Sequence, residues 1–219
     1  MRPFTYYEMK YAVAQQDLCQ VRSVLEGLYG GTDPFPEGLV DSAYYDSWDA
    51  QGYQECQDGD HTKAKVRIRR YSEADPYGQL QIKKKDLTAV AKYKVRIAPI
   101  PADRLDGAEF AEVEPGSLRE IGSLTAQLGP ISPFIRIKYL RTRYRVFDIR
   151  VTLDQHVEAF PLGGFHEAGL GYVKLPYHVL EVKSHSERPM LPLFGLLKLR
   201  PITYSKFYLG ARLLQGLPI

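Results

Sequence analysis

Lys63-Ala64-Lys65-Val66-Arg67-Ile68-Arg69-Arg70-Tyr71, read as an extended strand, separates into two faces of opposite chemistry. Lys63, Lys65, Arg67 and Arg69 share one face, and Ala64, Val66 and Ile68 share the other. Alternation of this kind over a run rich in β-branched residues, bounded by polar turn residues, is the signature of a strand. Same-face neighbours on a strand lie about 7 Å apart, so four cations in a row repel one another wherever water is partly excluded. Such a face either looks into solvent as the outside of an antiparallel sheet or holds something anionic.

The same pattern recurs on both sides of this stretch. Before it, Tyr6 to Tyr11 sets Glu8 and Lys10 opposite Tyr7, Met9 and Tyr11. Leu18, Val21, Leu25 and Leu28 then repeat at helical spacing between about Gln16 and Tyr29, with Gly30-Gly31 as the stop. Pro34 and Pro36 mark a loop, and Leu39 to Asp46, with Trp48 as a candidate extension, reads as a strand rich in tyrosine. After the central stretch, Asp75-Pro76-Tyr77-Gly78 signals a turn. Gln79, Gln81, Lys83 and Lys85 then oppose Leu80 and Ile82, and a hairpin sets this face beside the first. Lys92, Lys94 and Arg96 alternate with Tyr93, Val95 and Ile97.

Further on, helices are expected around Ser117 to Leu128 and strands over Ile135 to Tyr144, Asp148 to Val157 and Val179 to Lys183. The tail from Met190 to Leu217 is read as short helices limited by Pro192 and Pro201.

The 219 residues, 44% of them hydrophobic, suffice for one substantial core, and the chain reads as a single domain over 1–219. Cys19 and Cys56 have neither disulfide-framework nor zinc spacing. No window approaches the length of a membrane span and no signal-peptide pattern opens the chain, so a soluble, cytoplasmic protein is expected. The net charge of +3, from 29 basic and 26 acidic residues, says little by itself. Distribution says more, because acids gather in connecting segments while cations gather in strands. The histidines lack the close spacing of a metalloprotease site, no Gly-x-Ser-x-Gly elbow is present, and the paired glycines do not open a dinucleotide-binding helix. A nucleic-acid binder would present an open basic and aromatic surface, which these segregated faces do not suggest.

Too few helices are predicted to cover a flat sheet of about eight strands, so closure is the economical solution. The expected architecture is an α+β fold, a closed antiparallel β-tunnel with a few flanking helices and a charged lumen. A lumen rich in Lys and Arg suits a chain of phosphates, and the Glu-x-Lys pairs suit a divalent cation bridging carboxylate to phosphate.

Glu8-x-Lys10, Lys65-Val66-Arg67-Ile68-Arg69-x-Tyr71, Tyr139-x-Arg141, Arg150-Val151-Thr152-x-Asp154, Leu180-Glu181-Val182-Lys183 and Ser205-Lys206-Phe207 follow one another across nearly the whole chain. Each motif alone is common, but the ordered set resembles the VTC domain. That is the polyphosphate polymerase domain of the vacuolar transporter chaperone complex, within the triphosphate tunnel metalloenzyme, or CYTH-like, superfamily. The resemblance implies binding of a nucleoside triphosphate such as ATP and of inorganic polyphosphate, with Mn or Mg. It implies phosphate ligands at Lys10, Arg67, Arg69, Lys83, Lys94, Tyr139, Arg141, Arg150, Lys183, Ser205 and Lys206. It also implies metal carboxylates at Glu181 and Glu8, and catalytic roles for Arg67, Glu181 and Lys206.

Phosphoryl transfer needs positioning and charge neutralisation, so no covalent nucleophile is required. Two residues depart from the family pattern: Gln81 stands where Glu is usual, and Thr203 replaces a cation carried by some members. Chain elongation, hydrolysis of tripolyphosphate or nucleoside triphosphate, and polyphosphate binding without catalysis all use this ligand set. The sequence carries no membrane segment and no phosphate-sensing helical domain of its own, which leaves a membrane partner open.

Overall fold

The computed structural model describes residues 7–71, 77–86, 89–99, 122, 129–163, 171–186, 189, 191–203 and 205–219. The helices expected around Ser117 to Leu128 lie outside the described residues. Eight long strands carry the fold: β1 (Tyr7–Ala14), β2 (Glu37–Ser47), β3 (Lys63–Arg70), β4 (Tyr77–Asp86), β5 (Ala89–Pro99), β6 (Ile131–Val146), β7 (Ile149–Pro161) and β9 (Tyr177–Ser184). Two-residue strands β8 (Val173–Lys174) and β10 (Arg200–Pro201) complete an antiparallel sheet of ten. The helices are α1 (Leu18–Tyr29), α2 (Gln51–Gln57), α3 (Leu193–Leu196) and α4 (Lys206–Leu214).

The contacts divide the chain into two compact units, each discontinuous in sequence, with β2, β6 and β7 contributing residues to both. The first unit comprises Met1–Leu39, Tyr139–Val157 and Lys174–Tyr204, and its strand order is β10-β1-β9-β7-β6. The second comprises Val40–Lys138, Glu158–Val173 and Ser205–Ile219, in the order β6-β2-β3-β4-β5. Among the described residues no pairing joins β5 to β10, so the ladder is open where closure was expected. Both end strands have the chemistry of edges. β10 ends in Pro201, which lacks an N–H for a further ladder bond, and β5 exposes Lys92, Lys94 and Arg96.

The period-2 faces read from the sequence are the faces of the sheet. In the second unit Ala43 pairs with Ile68, Ile68 with Leu80 and Leu80 with Val95, while Val66 pairs with Ile82. Ala43, Val66, Ile68, Leu80 and Ile82, with Tyr45, Ile97 and Leu162, form one apolar core. In the first unit Val182 pairs with Met9 and Val151, and Leu180 with Tyr11 and Leu153. Leu18, Val21, Leu25 and Tyr29 of α1 cover that face, and Leu191, Leu193 and Leu197 extend the cover. A stripe at helical spacing thus meets a strand face at spacing two, which is the ordinary way a sheet buries one side.

Three details differ from the sequence reading. β2 ends at Ser47, and Trp48 lies beyond it, 88% exposed. Helix α2 was not expected, because its N-cap is Ala50 in the left-handed region, a residue that gives no capping signal. Its first turn is capped from outside: Asp46 accepts from the backbone N–H groups of Gly52 and Tyr53 at 2.8 and 2.9 Å. The tail forms α3 and α4 with β10 between them. No helix among the described residues is long and apolar enough to cross a membrane.

Gly210 of α4 marks a close approach within the second unit. A Cβ there would stand 2.8 Å from Ala159 Cβ and 2.8 Å from Ile137 Cδ1. Because Ala159 has no freedom to withdraw, Gly210→Ala is expected to cost about 1–3 kcal/mol, as overpacking generally does. Urea unfolding monitored by circular dichroism would show this as a lower midpoint. An unchanged midpoint would mean that the helix relaxes away from the sheet.

Candidate phosphate-binding site

In the second unit, strand register gathers the cations. Arg67 pairs with Gln81 and Gln81 with Lys94; Lys65 pairs with Lys83 and Lys83 with Lys92; Arg69 pairs with Gln79 and Gln79 with Arg96. On the other side of β3, Tyr44 pairs with Arg67 and Ser42 with Arg69. Lys63, Lys65, Arg67, Arg69, Lys83 and Lys94 therefore lie on one face, as the alternation predicts. Lys83 and Lys94 are exposed on it, whereas Arg69 is buried.

The partners of these cations are the informative part. Arg67 donates from Nε to Gln81 Oε1 at 2.9 Å and from Nη1 to the Tyr44 hydroxyl at 2.8 Å. Lys65 donates to Ser205 Oγ at 2.8 Å and lies over the Phe207 ring. Arg69 donates to Ser42 Oγ at 2.8 Å and lies over Tyr71. Lys65 and Arg67 thus have only neutral partners among the described residues, so their charges are left uncompensated. Asp46 is the carboxylate in this part of β2, and both its oxygens are taken by backbone N–H groups of Ser47, Gly52 and Tyr53.

The local field is visible in two tyrosines. Burial pushes the Tyr44 hydroxyl up, but Arg67 and Arg69, the hydrogen bond from Arg67, and Lys65 outweigh it and bring its pKa down to about 7. Tyr71, where burial again acts upward, is brought down to about 8 by Arg69, the bond with Gln81, and Arg67. Phenols become this acidic only where positive charge is left over.

Ser205 and Lys206 open helix α4. The Ser205 hydroxyl accepts from Tyr208 N at 3.3 Å as the N-cap while also accepting from Lys65. The positive end of the helix dipole therefore adds to the same cationic set. Of the expected ligands, Arg67, Arg69, Lys83, Lys94, Ser205 and Lys206 fall in this unit. Sequence reasoning did not single out Tyr44, and it treated Gln81 only as a departure. Both are recognisable once register places them against Arg67.

The remaining expected residues, Glu8, Lys10, Tyr139, Arg141, Arg150, Glu181 and Lys183, fall in the first unit, where charges are paired. Register sets Glu8 against Lys183, Lys10 against Glu181, Arg150 against Lys183 and Thr152 against Glu181. Lys10 Nζ lies 2.6 Å from Glu8 Oε1, and Lys183 Nζ lies 3.4 Å from Glu8 Oε2 and 2.6 Å from Glu181 Oε1. The two proposed metal carboxylates are thus tied to a single ammonium. Burial lowers the Lys183 pKa, but Glu181 and Glu8 more than reverse this and raise it, so the charge is kept. Arg150 is exposed.

Arg141 is held as a fork by Asp154, Nε to Oδ1 at 2.6 Å and Nη2 to Oδ2 at 2.7 Å, and its guanidinium lies over Tyr139. Asp154 is 0% exposed, so it serves as the anchor of Arg141 rather than as an inward base for water. Burial pulls the Arg141 pKa down, while Asp154, first among its neighbours, pushes it well above the usual value. Arg141 keeps the hydrogens of Nη1 for an outside acceptor.

As a donor set for Mg or Mn, Glu8 and Glu181 fit an ion completed by phosphate oxygens and water, since such ions commonly use one or two carboxylates. No group of three or more His, Cys, Asp or Glu residues stands ready for a metal among the described residues.

Comparison with known proteins points the same way. No curated protein matches the sequence. Among solved structures, a candidate adenylate cyclase from Bacillus halodurans superposes with a TM-score of 0.53 at 13% identity, covering 84% of this chain and 83% of that one. A candidate adenylyl cyclase from Hippeastrum, described as having a dominant triphosphatase activity, gives a TM-score of 0.51 at 16% identity, covering 97% and 96%. At these identities the likeness concerns the fold. The VTC domain matches residues 5–215, and with the ordered motifs now placed on their strands, the chain belongs to the VTC domain family.

Proposed function

We propose that this domain, acting as one unit of function over residues 1–219, is a metal-dependent polyphosphate polymerase. It would transfer the terminal phosphate of a nucleoside triphosphate to a growing polyphosphate chain in the cytoplasm. The observation that carries the reading is the pair Lys65 and Arg67, held on one strand face by neutral groups alone among the described residues. Uncompensated, partly buried cations are a site for a polyanion. Arg67, Arg69 and Lys83 hold phosphate oxygens in one unit, and Lys10, Arg141 and Lys183 do so in the other.

In the reaction, an oxygen of the chain's terminal phosphate forms a bond to the γ-phosphorus of the nucleotide. The bond from that phosphorus to the bridging oxygen breaks, and a nucleoside diphosphate leaves with the electron pair. A divalent ion on Glu181 and Glu8, when bound, would supply neutralisation of charge on phosphate oxygens. Arg67 orients the nucleotide through its free donors while Gln81 and Tyr44 fix its plane. Lys206, at the start of α4, orients the transferred group. Arg141, locked by Asp154, offers a rigid donor that need not be ordered at the moment of reaction.

Hydrolysis is the second reading, favoured by the triphosphatase activity described for the Hippeastrum protein of similar fold. The same cations would then serve water as the acceptor. Incubating the pure protein with ATP and Mn separates the two when products are resolved by size and free phosphate is measured in parallel. Long chains with nucleoside diphosphate are expected. Free phosphate without chains would favour the triphosphatase.

Glu181→Gln tests the carboxylate directly. Glu181 binds Lys183 at 2.6 Å, so a purely structural ion pair is the competing account. Because Glu181 is buried and only Lys183 is partly open to solvent, the variant is expected to lose some stability as well. Turnover is therefore compared where circular dichroism shows both proteins folded, and there it is expected to fall by about ten-fold or more. Full metal-dependent turnover in the folded variant would assign Glu181 to the ion pair alone.

A further inference from the structure

We propose that the Tyr44 hydroxyl is a further phosphate ligand of this site, accepting a hydrogen bond from Arg67 while donating its own proton to an oxygen of a bound tripolyphosphate or longer polyphosphate. The proposal rests on the reading of the Lys65 and Arg67 face as a polyphosphate site, and it adds a residue that the family's motifs do not mark.

The geometry carries it in three steps. Tyr44 is only 6% exposed, so its hydroxyl is removed from bulk water. The hydroxyl accepts from Arg67 Nη1 at 2.8 Å, and no described residue accepts its proton in return. A buried donor without an acceptor costs free energy, and in a cationic field the acceptor that suits it best is anionic oxygen. The described surroundings supply none. Lys65, Arg67 and Arg69 face it from β3, and the Phe207 ring of α4 packs on it with centroids 5.1 Å apart. Gln81 on β4 spends its carbonyl on Arg67, and Ser42 on β2 spends its oxygen on Arg69. Asp46, further along β2, is engaged by backbone N–H groups.

A phosphate oxygen reaching Arg67 therefore meets, bonded directly to that guanidinium, a hydroxyl that still has a proton to give. Without ligand, the cations favour loss of that proton, which is the sense of the pKa of about 7. With ligand, phosphate supplies the negative charge and the proton stays on Tyr44. Binding above neutral pH is then accompanied by proton uptake at this residue. Tyr71, shifted to about 8 by the same field, titrates in the same range, so the measurements are made in a Tyr71→Phe background as well.

The test is calorimetric titration of tripolyphosphate into the wild-type chain and Tyr44→Phe. Affinity is measured at pH 6, and at pH 8 the titration is repeated in two buffers of different ionisation enthalpy, which counts protons taken up. The ligand's own titration is common to both proteins, so the difference belongs to Tyr44. Tyr44→Phe should bind about ten-fold more weakly at pH 6, the size of a hydrogen bond to a charged group, and take up fewer protons at pH 8. Equal affinity and equal uptake would overturn the proposal while leaving the polyphosphate site standing. A wild-type chain that binds no tripolyphosphate would overturn the site itself. Should the variant not fold, tyrosinate absorbance near 295 nm at pH 7.5 decides with the Tyr71→Phe chain, in which Tyr44 keeps its shifted phenol: a fall on adding tripolyphosphate supports the ligand role, and no change overturns it.

Discussion

Lys65 and Arg67 stand about 7 Å apart on one face of β3 with no carboxylate among the described residues to pair with them. At an effective dielectric constant of about 20, two such charges repel by about 2 kcal/mol, and Arg69 and Lys63 extend the row. The fold tolerates this because the opposite face is an efficient core: Val66, Ile68, Leu80 and Ile82 are each 2% exposed or less. Neutral acceptors then fix the cations without cancelling them. A carboxylate in place of Gln81 would also satisfy Arg67 as a hydrogen-bond partner, and it would offset part of the positive charge that Gln81 leaves in place.

The two units handle charge differently. In the second, Arg136 and Lys138 pair with Asp41, but on the β3 face Lys65, Arg67 and Arg69 meet Ser205, Gln81, Tyr44 and Ser42, and the field reaches the phenols of Tyr44 and Tyr71. In the first, Lys10, Lys183 and Arg141 each have a carboxylate, and Asp154 is fully buried beneath Arg141. The first set is pre-organised and nearly neutral, suited to positioning and to holding an ion. The second is electrostatically frustrated, and a ligand relieves it. Phosphoryl transfer calls for both properties, since its catalysis is positioning plus stabilisation of charge.

Much of this was legible in the sequence because a strand has period two. Lys65, Arg67 and Arg69 could share a face only if Val66 and Ile68 shared the other, and a hairpin after Tyr77 could only bring Lys83 alongside. The ordered Glu8-x-Lys10 and Glu181-x-Lys183 motifs likewise announced the carboxylate pair, though not that both would close on Lys183. What escaped depends on register and on contacts between distant segments. Tyr44 reads as one more aromatic in a strand until pairing sets it against Arg67. Helix α2 is short, and its cap comes from Asp46, four residues before the N-cap Ala50, so no local pattern marks its start. Asp154 stands in the sequence as the end of a motif, and only its hydrogen bonds and burial show it to be the partner of Arg141.

The central claim is that uncompensated cations on the β3 face are relieved by a polyanion, and its most direct test is the melting temperature of the chain with tripolyphosphate across a range of ionic strength. The account predicts a rise in melting temperature at low salt, growing with ligand concentration and shrinking as salt screens the contact. A folded protein whose melting temperature is indifferent to tripolyphosphate at every ionic strength would contradict it.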